Sequence, residues 1–86
     1  MVKVLKFSAA WCGPCKTLSP VFAQIKGEIS EVNYIDIDVD TNTAMAQAYS
    51  ITSIPAVIFE KDGQVVNKII GLKPKSAYTQ AIKELL

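Results

Sequence analysis

The chain has 86 residues, half of them hydrophobic. That length closes one hydrophobic core, read as a single domain over residues 1–86, and the composition excludes a disordered segment. Nine basic and eight acidic side chains leave a formal charge of +1, and there is no histidine. No nucleic-acid or membrane partner is therefore expected, and histidine triads, imidazole metal ligands and histidine proton shuttles are excluded.

Val2 to Phe7 is a short, largely apolar strand. From about Gly13 to Ile29 the spacing predicts a helix, with Leu18, Val21, Phe22, Ile25 and Ile29 on one face. Pro14 suits its first turn, where a missing N–H costs nothing, and Pro20 inside it predicts a kink. Asn33 to Val39 alternates, with Ile35, Ile37 and Val39 on one side and Tyr34, Asp36 and Asp38 on the other. A short helix follows over roughly Thr43 to Tyr49, capped by Asp40, Thr41 or Asn42, with Met45 and Tyr49 as its core residues. Pro55 opens a third strand, Ala56 to Glu60, and Asp62-Gly63 signals a hairpin into a fourth, Gln64 to Ile70. Gly71 breaks that strand, and Pro74 starts a final helix that buries Tyr78, Ala81, Ile82 and Leu85. The order β-α-β-α-β-β-α is an α/β sandwich with a parallel, right-handed first crossover and an antiparallel final pair.

The start of the chain lacks the charged leader, apolar core and cleavage site of a signal peptide, and no apolar run approaches membrane-spanning length. A soluble, cytoplasmic protein is expected. Two cysteines three positions apart close too short a loop to stabilise a secreted fold, so they read as reactive or metal-binding.

The segment Trp11-Cys12-Gly13-Pro14-Cys15-Lys16 lies between the first strand and the first helix. Cys12 precedes the free N–H groups of the helix, whose partial positive charge favours a thiolate, and it is expected to be exposed while Cys15 lies buried inside the first turn. In a Cys-X-X-Cys turn the second thiol donates to the first and lowers its pKa. Gly13 and Pro14 suit a tight turn that holds the sulfurs close. A zinc site usually needs four ligands, so one chain cannot close it; a metal shared between two subunits stays open.

Trp-Cys-Gly-Pro-Cys-Lys resembles the active-site signature of thioredoxin, and the similarity runs along the whole chain. Phe7 and Ala9 stand where the family has Phe and Ala before its Trp; Pro20 matches its kink proline. Ile51-Thr52-Ser53-Ile54-Pro55 resembles the segment leading to its cis-proline, Lys61-Asp62-Gly63 its last hairpin, and Gly71 the glycine beside its substrate groove. The departure is at the front, where thioredoxins usually carry an extra strand and helix.

The resemblance implies a three-layer α/β/α fold with a four-stranded mixed sheet in the order 2-1-3-4. It implies a protein disulfide reductase with Cys12 as nucleophile and Cys15 as resolving thiol, modulated by Gly13 and Pro14. Trp11, Ile54, Pro55, Gly71 and Leu72 would bind the substrate chain, with Ile54–Pro55 cis. No bound cofactor or metal is implied. The partners would be disulfide-containing proteins and a flavin- or ferredoxin-dependent thioredoxin reductase, with the chain a monomer. A glutaredoxin-like role, dedicated electron donation to an enzyme such as ribonucleotide reductase, and a redox-silent binding subunit are the alternatives. Thioredoxins usually have an aspartate at the position of Lys6 and a lysine at that of Asp36. Here the signs are exchanged, and a partly buried Lys6–Asp36 pair is expected behind the active site, with Asp36 accepting a proton from Cys15; the alternatives are that Lys6 runs along its apolar stem to water or meets Asp38.

Overall fold

Alternation along the first strand decides how the sheet is covered. The computed structural model describes residues 1–86 and begins with β1 (Val2–Ser8), followed by α1 (Gly13–Glu28) and β2 (Asn33–Asp38). Then come α2 (Thr43–Ala48), β3 (Ala56–Lys61), β4 (Gln64–Ile70) and α3 (Lys75–Lys83). The sheet order is β2-β1-β3-β4, with β1 parallel to β2 and antiparallel to β3, and β3 antiparallel to β4. This is the strand order that the resemblance to thioredoxin implies.

Val2 and Val4 of β1, with Val57 and Phe59 of β3, point to the side covered by α1 and α3. There they pack on Leu18, Phe22, Ile25, Tyr78, Ala81 and Ile82, in a cluster of 12 buried residues. Each large side chain buried this way contributes ~1.5–3 kcal/mol of transfer free energy. Leu5, Phe7, Ile37, Ala56 and Ile58 point to the opposite side and form a cluster of five. The side-chain period of two thus splits one apolar strand between two unequal cores.

Local chemistry sets the ends of the elements. Pro14 lies in the first turn of α1. Asp62 and Gly63 have φ of 53° and 84°, the left-handed pair that a two-residue hairpin turn demands. Pro74 occupies the cap position of α3, one residue before its helical start. Leu85 is only partly buried.

The second helix departs from expectation. It ends at Ala48, contains no buried residue, and its cap residue Asn42 makes no side-chain capping bond. Met45 is exposed, and Tyr49 is half-buried just beyond the helix, so neither is helix core. A six-residue helix presents too little surface to bury a stripe, and the Asn42 amide donates instead to the Asp38 carbonyl, 3.2 Å away. No helix is long and apolar enough to cross a membrane.

Candidate active site

β1 ends at Ser8, and the chain turns into α1 with the Cys12 N–H bonded to the Ala9 carbonyl at 3.1 Å. Cys12 is the N-cap: its backbone is extended, its carbonyl accepts the Lys16 N–H, and its Sγ accepts the Cys15 N–H at 3.2 Å. A sulfur in that position replaces the side-chain oxygen of an ordinary cap and meets the positive end of the helix. Cys15 is the third residue of the helix, so both sulfurs lie on one turn, and they are joined in a disulfide with Cα atoms 5.3 Å apart. Gly13 and Pro14 between them face solvent.

The two cysteines are equally buried, each 5% exposed, in a small cluster with Ala9 against which Val39 and Ile54 pack. Cys12 was expected to be the exposed thiol. Its cap position, rather than its exposure, sets Cys12 apart from Cys15.

Beside the disulfide lies a groove of about 190 Å³ lined by Trp11, Val39, Ala46, Ile51, Thr52, Ser53 and Ile54. Trp11 is 68% exposed, and its indole N–H donates to Asp40 at 2.9 Å, which holds the ring as one wall. The Ile54–Pro55 bond is cis. Pro55 is fully buried beneath the groove rather than lining it. Gly71 has φ of 85°, a left-handed conformation suited to glycine, and donates its N–H to the Pro55 carbonyl at 2.8 Å. Leu72 next to it is exposed. The structure therefore brings Trp11 and Ile54 together in the groove and ties Gly71 to its floor, with Leu72 to one side. Sequence reasoning missed Val39, Ala46 and the Trp11–Asp40 bond. That bond joins residues 29 positions apart, and no local pattern marks it.

Lys6 and Asp36 are direct partners in the parallel β1–β2 register, and Lys6 Nζ lies 3.4 Å from Asp36 Oδ1. The burial is one-sided. The Lys6 side chain is 9% exposed and that of Asp36 55%, so the expected partly buried pair is a buried cation reaching an open carboxylate. β2 is an edge strand, which leaves Asp36 open to solvent. Lys26 of α1 binds the other Asp36 oxygen at 3.2 Å, a partner the sequence did not suggest. Lys6 also sits 5.4 Å from the centre of the Phe22 ring, within cation–π range. No hydrogen bond joins Asp36 to either cysteine; its oxygens face ammonium groups.

No group of three or more His, Cys, Asp or Glu side chains is arranged to hold a metal ion. A close cysteine pair at a helix start, on this sheet and beside an apolar groove, defines a thiol–disulfide oxidoreductase. The thioredoxin family model matches residues 1–84, and the chain belongs to the thioredoxin family. Thioredoxin of Mycolicibacterium smegmatis is 42% identical, with 96% of this chain and 77% of that protein covered. Thioredoxin of Chlamydia caviae is 38% identical, with 94% of this chain and 79% of that protein covered. Among solved structures, oxidised mitochondrial thioredoxin 3 of Saccharomyces cerevisiae superposes with a TM-score of 0.92 at 34% identity, covering 98% of this chain and 78% of that one. Fasciola hepatica thioredoxin gives 0.94, also at 34%, covering 99% and 81%.

Proposed function

We propose that the chain acts, as a single domain over residues 1–86, as a thioredoxin-type protein disulfide reductase. The observation that carries this reading is the Cys12 sulfur at the cap of α1, accepting the Cys15 N–H at 3.2 Å. In the reduced protein the same N–H and the helix N-terminus stabilise a Cys12 thiolate. That thiolate attacks one sulfur of a substrate disulfide, forming a mixed disulfide and expelling the other sulfur as a thiolate that takes up a proton. Cys15 loses its proton and attacks Cys12 Sγ, which breaks the mixed disulfide. The substrate leaves as a dithiol, and the two electrons it gained are balanced by the Cys12–Cys15 disulfide.

The groove between Trp11 and Ile54 seats the substrate chain, flanked by Gly71 and Leu72. No bound cofactor is needed, because every electron moves between sulfurs. A flavin- or ferredoxin-dependent thioredoxin reductase returns the electrons, the protein works as a monomer, and a reducing cytoplasm suits it. The Gly-Pro spacer resembles the reducing members of the family.

Reduction of insulin disulfides driven by a thioredoxin reductase tests this reading. Cys12→Ser should abolish turnover and Cys15→Ser should trap mixed disulfides, while mild alkylation of the reduced protein should modify Cys12 first. Turnover sustained by glutathione alone would point to a glutaredoxin-like role. Full biological activity in the Cys12→Ser, Cys15→Ser variant would point to a binding subunit.

A further inference from the structure

Besides Lys6, the one charged side chain buried in the fold is Glu60, at the end of β3. Its Oε2 accepts a hydrogen bond from the Tyr49 hydroxyl, and its Oε1 lies 4.0 Å from Lys3 Nζ, the outer limit of an ion pair. A carboxylate out of water is costly, and an apolar side chain of similar size would usually hold the sheet as well or better. The dithiol chemistry makes no use of Glu60. What the residue does hold is Tyr49.

Tyr49 stands at a pivot. It follows α2, whose six residues include none that is buried, and a helix that short is marginal by itself. After Tyr49 the chain reverses through Ser50, which has φ of 55°, and Ile51 donates its N–H back to the Ala46 carbonyl at 2.8 Å. Ala46 and Ile51 to Ile54 are one side of the groove, opposite Trp11. Two contacts anchor the pivot to the sheet: the Tyr49 ring against Phe7, with centroids 5.6 Å apart, and the Tyr49 hydroxyl on Glu60. The ring contact is apolar and allows sliding; the hydrogen bond fixes direction.

We propose that the Tyr49–Glu60 hydrogen bond fixes the end of α2 and thereby the Ile51–Ile54 wall, making Tyr49 and Glu60 positioning residues for docking of protein disulfides. The proposal rests on the reductase reading above. It concerns the groove and leaves the sulfur chemistry alone, so large and small disulfides should respond differently.

Single-turnover reduction by the pre-reduced protein separates the two, with insulin as the protein disulfide and 5,5′-dithiobis(2-nitrobenzoate) as the small one. Tyr49→Phe keeps the ring and removes the hydroxyl. It should raise the half-saturating insulin concentration ~5-fold, the size expected for loss of one such bond, with the limiting rate and the small-disulfide rate unchanged. Glu60→Gln still accepts the Tyr49 hydroxyl and should stay close to the wild type. The variant Tyr49→Phe, Glu60→Leu removes the buried charge; it should restore any stability lost by Tyr49→Phe but not the insulin half-saturation. That double variant decides the matter if Tyr49→Phe fails to fold. An unchanged half-saturation in a folded Tyr49→Phe or double variant overturns the proposal, as does a parallel fall in the small-disulfide rate. Failure of the wild type to reduce insulin would instead strike the reductase reading.

Discussion

The two faces of the sheet are built on different plans. Under α1 and α3 lies a continuous cluster of 12 buried residues that runs from Val2 to Ile82. On the other face lie five, covered in part by Tyr49, Ile51 and Ile54, which follow α2, a helix that buries nothing of its own. Each face also holds one buried charge, of opposite sign: Lys6 against Phe22 on the thick side and Glu60 against Tyr49 on the thin side. The division matches the chemistry. The cysteines must be held still, and they sit at the start of the best-packed helix. The groove wall formed by Ile51 to Ile54 belongs to the thinly packed side, where directional polar contacts set position. Low local burial is where segments open first.

Deleting apolar bulk from each side should give the largest difference. Phe22 is 1% exposed and stacks edge-on with Tyr34 and Tyr78, with ring centroids 6.5 and 5.3 Å away. Phe22→Ala should cost ~3–5 kcal/mol in urea unfolding, because the cavity cannot collapse beneath a sheet. Met45→Ala on α2 should stay within about 0.5 kcal/mol, as for other exposed positions. Equal losses would erase the distinction between the faces.

The buried cation gives the next effect, and a directional one. Lys6→Met leaves Asp36 exposed and still paired with Lys26, so the loss should be about 1 kcal/mol or less. Asp36→Asn leaves Lys6 buried without its anion. That should cost more, about 1–3 kcal/mol, below the figure for a fully buried pair because water reaches the Asp36 position. The double variant should lose less than the sum. Additive losses, or a larger loss for Lys6→Met, would show that the 3.4 Å contact does not couple the two.

Much of this architecture was legible in the sequence. A short apolar run located β1, alternation located β2, Pro55 and the Asp62-Gly63 hairpin located β3 and β4, and the Cys-X-X-Cys spacing ahead of an apolar helical stripe located the reactive pair. What escaped depends on which strand lies at an edge and on contacts across distant segments. Asp36 alternates like an inward polar residue, yet β2 is an edge strand, so nothing covers it. Glu60 ends an apolar run and looks like a solvent-facing terminus. It is buried because Tyr49, 11 residues earlier, folds back over it. Trp11 and Asp40 meet only because β1 and β2 run parallel and deliver their following loops to the same edge of the sheet.

Two tyrosines, one on each face, carry raised pKa values for different reasons. Tyr49 is raised from its ordinary 10.0 chiefly by its hydrogen bond to Glu60, then by burial and the Glu60 charge. Tyr34, bonded to the Ile29 carbonyl at 2.7 Å, is raised first by burial and then by Glu31. A raised folded-state value means that the unfolded chain ionises first. The contribution is complete below pH 10.0 and is lost as pH rises through the folded value. Stability should therefore fall in strong alkali, and Tyr49→Phe should flatten that fall. Glu60→Leu, which removes both the bond and the charge, should bring the Tyr49 titration, followed by its ultraviolet absorbance, back towards 10.0 while leaving Tyr34 in place. A shift of both tyrosines together would mean that the faces are not independent.

The smallest expected effect lies at the far end of the sheet from the cysteines, at the β3–β4 turn. The Met1 ammonium binds the Asp62 carboxylate at 2.6 Å, and that hydrogen bond, reinforced by the ammonium charge, holds the carboxyl below its ordinary 3.8. A lowered folded-state value means that stability is present above pH 3.8 and is lost as pH falls through the folded value. Both partners are open to water, so the gain is slight and salt should screen it. Asp62→Asn isolates the ion pair, because asparagine accepts the left-handed φ of 53° at this turn as readily as aspartate does. The variant should unfold at slightly lower urea than the wild type at neutral pH and low salt. The gap should close both in about 1 M salt, where charges are screened within a few ångströms, and at a pH low enough to protonate Asp62. A gap that survives both conditions would place the effect in the backbone of the hairpin, and the exposed end of the sheet would then owe its stability to turn conformation rather than to charge.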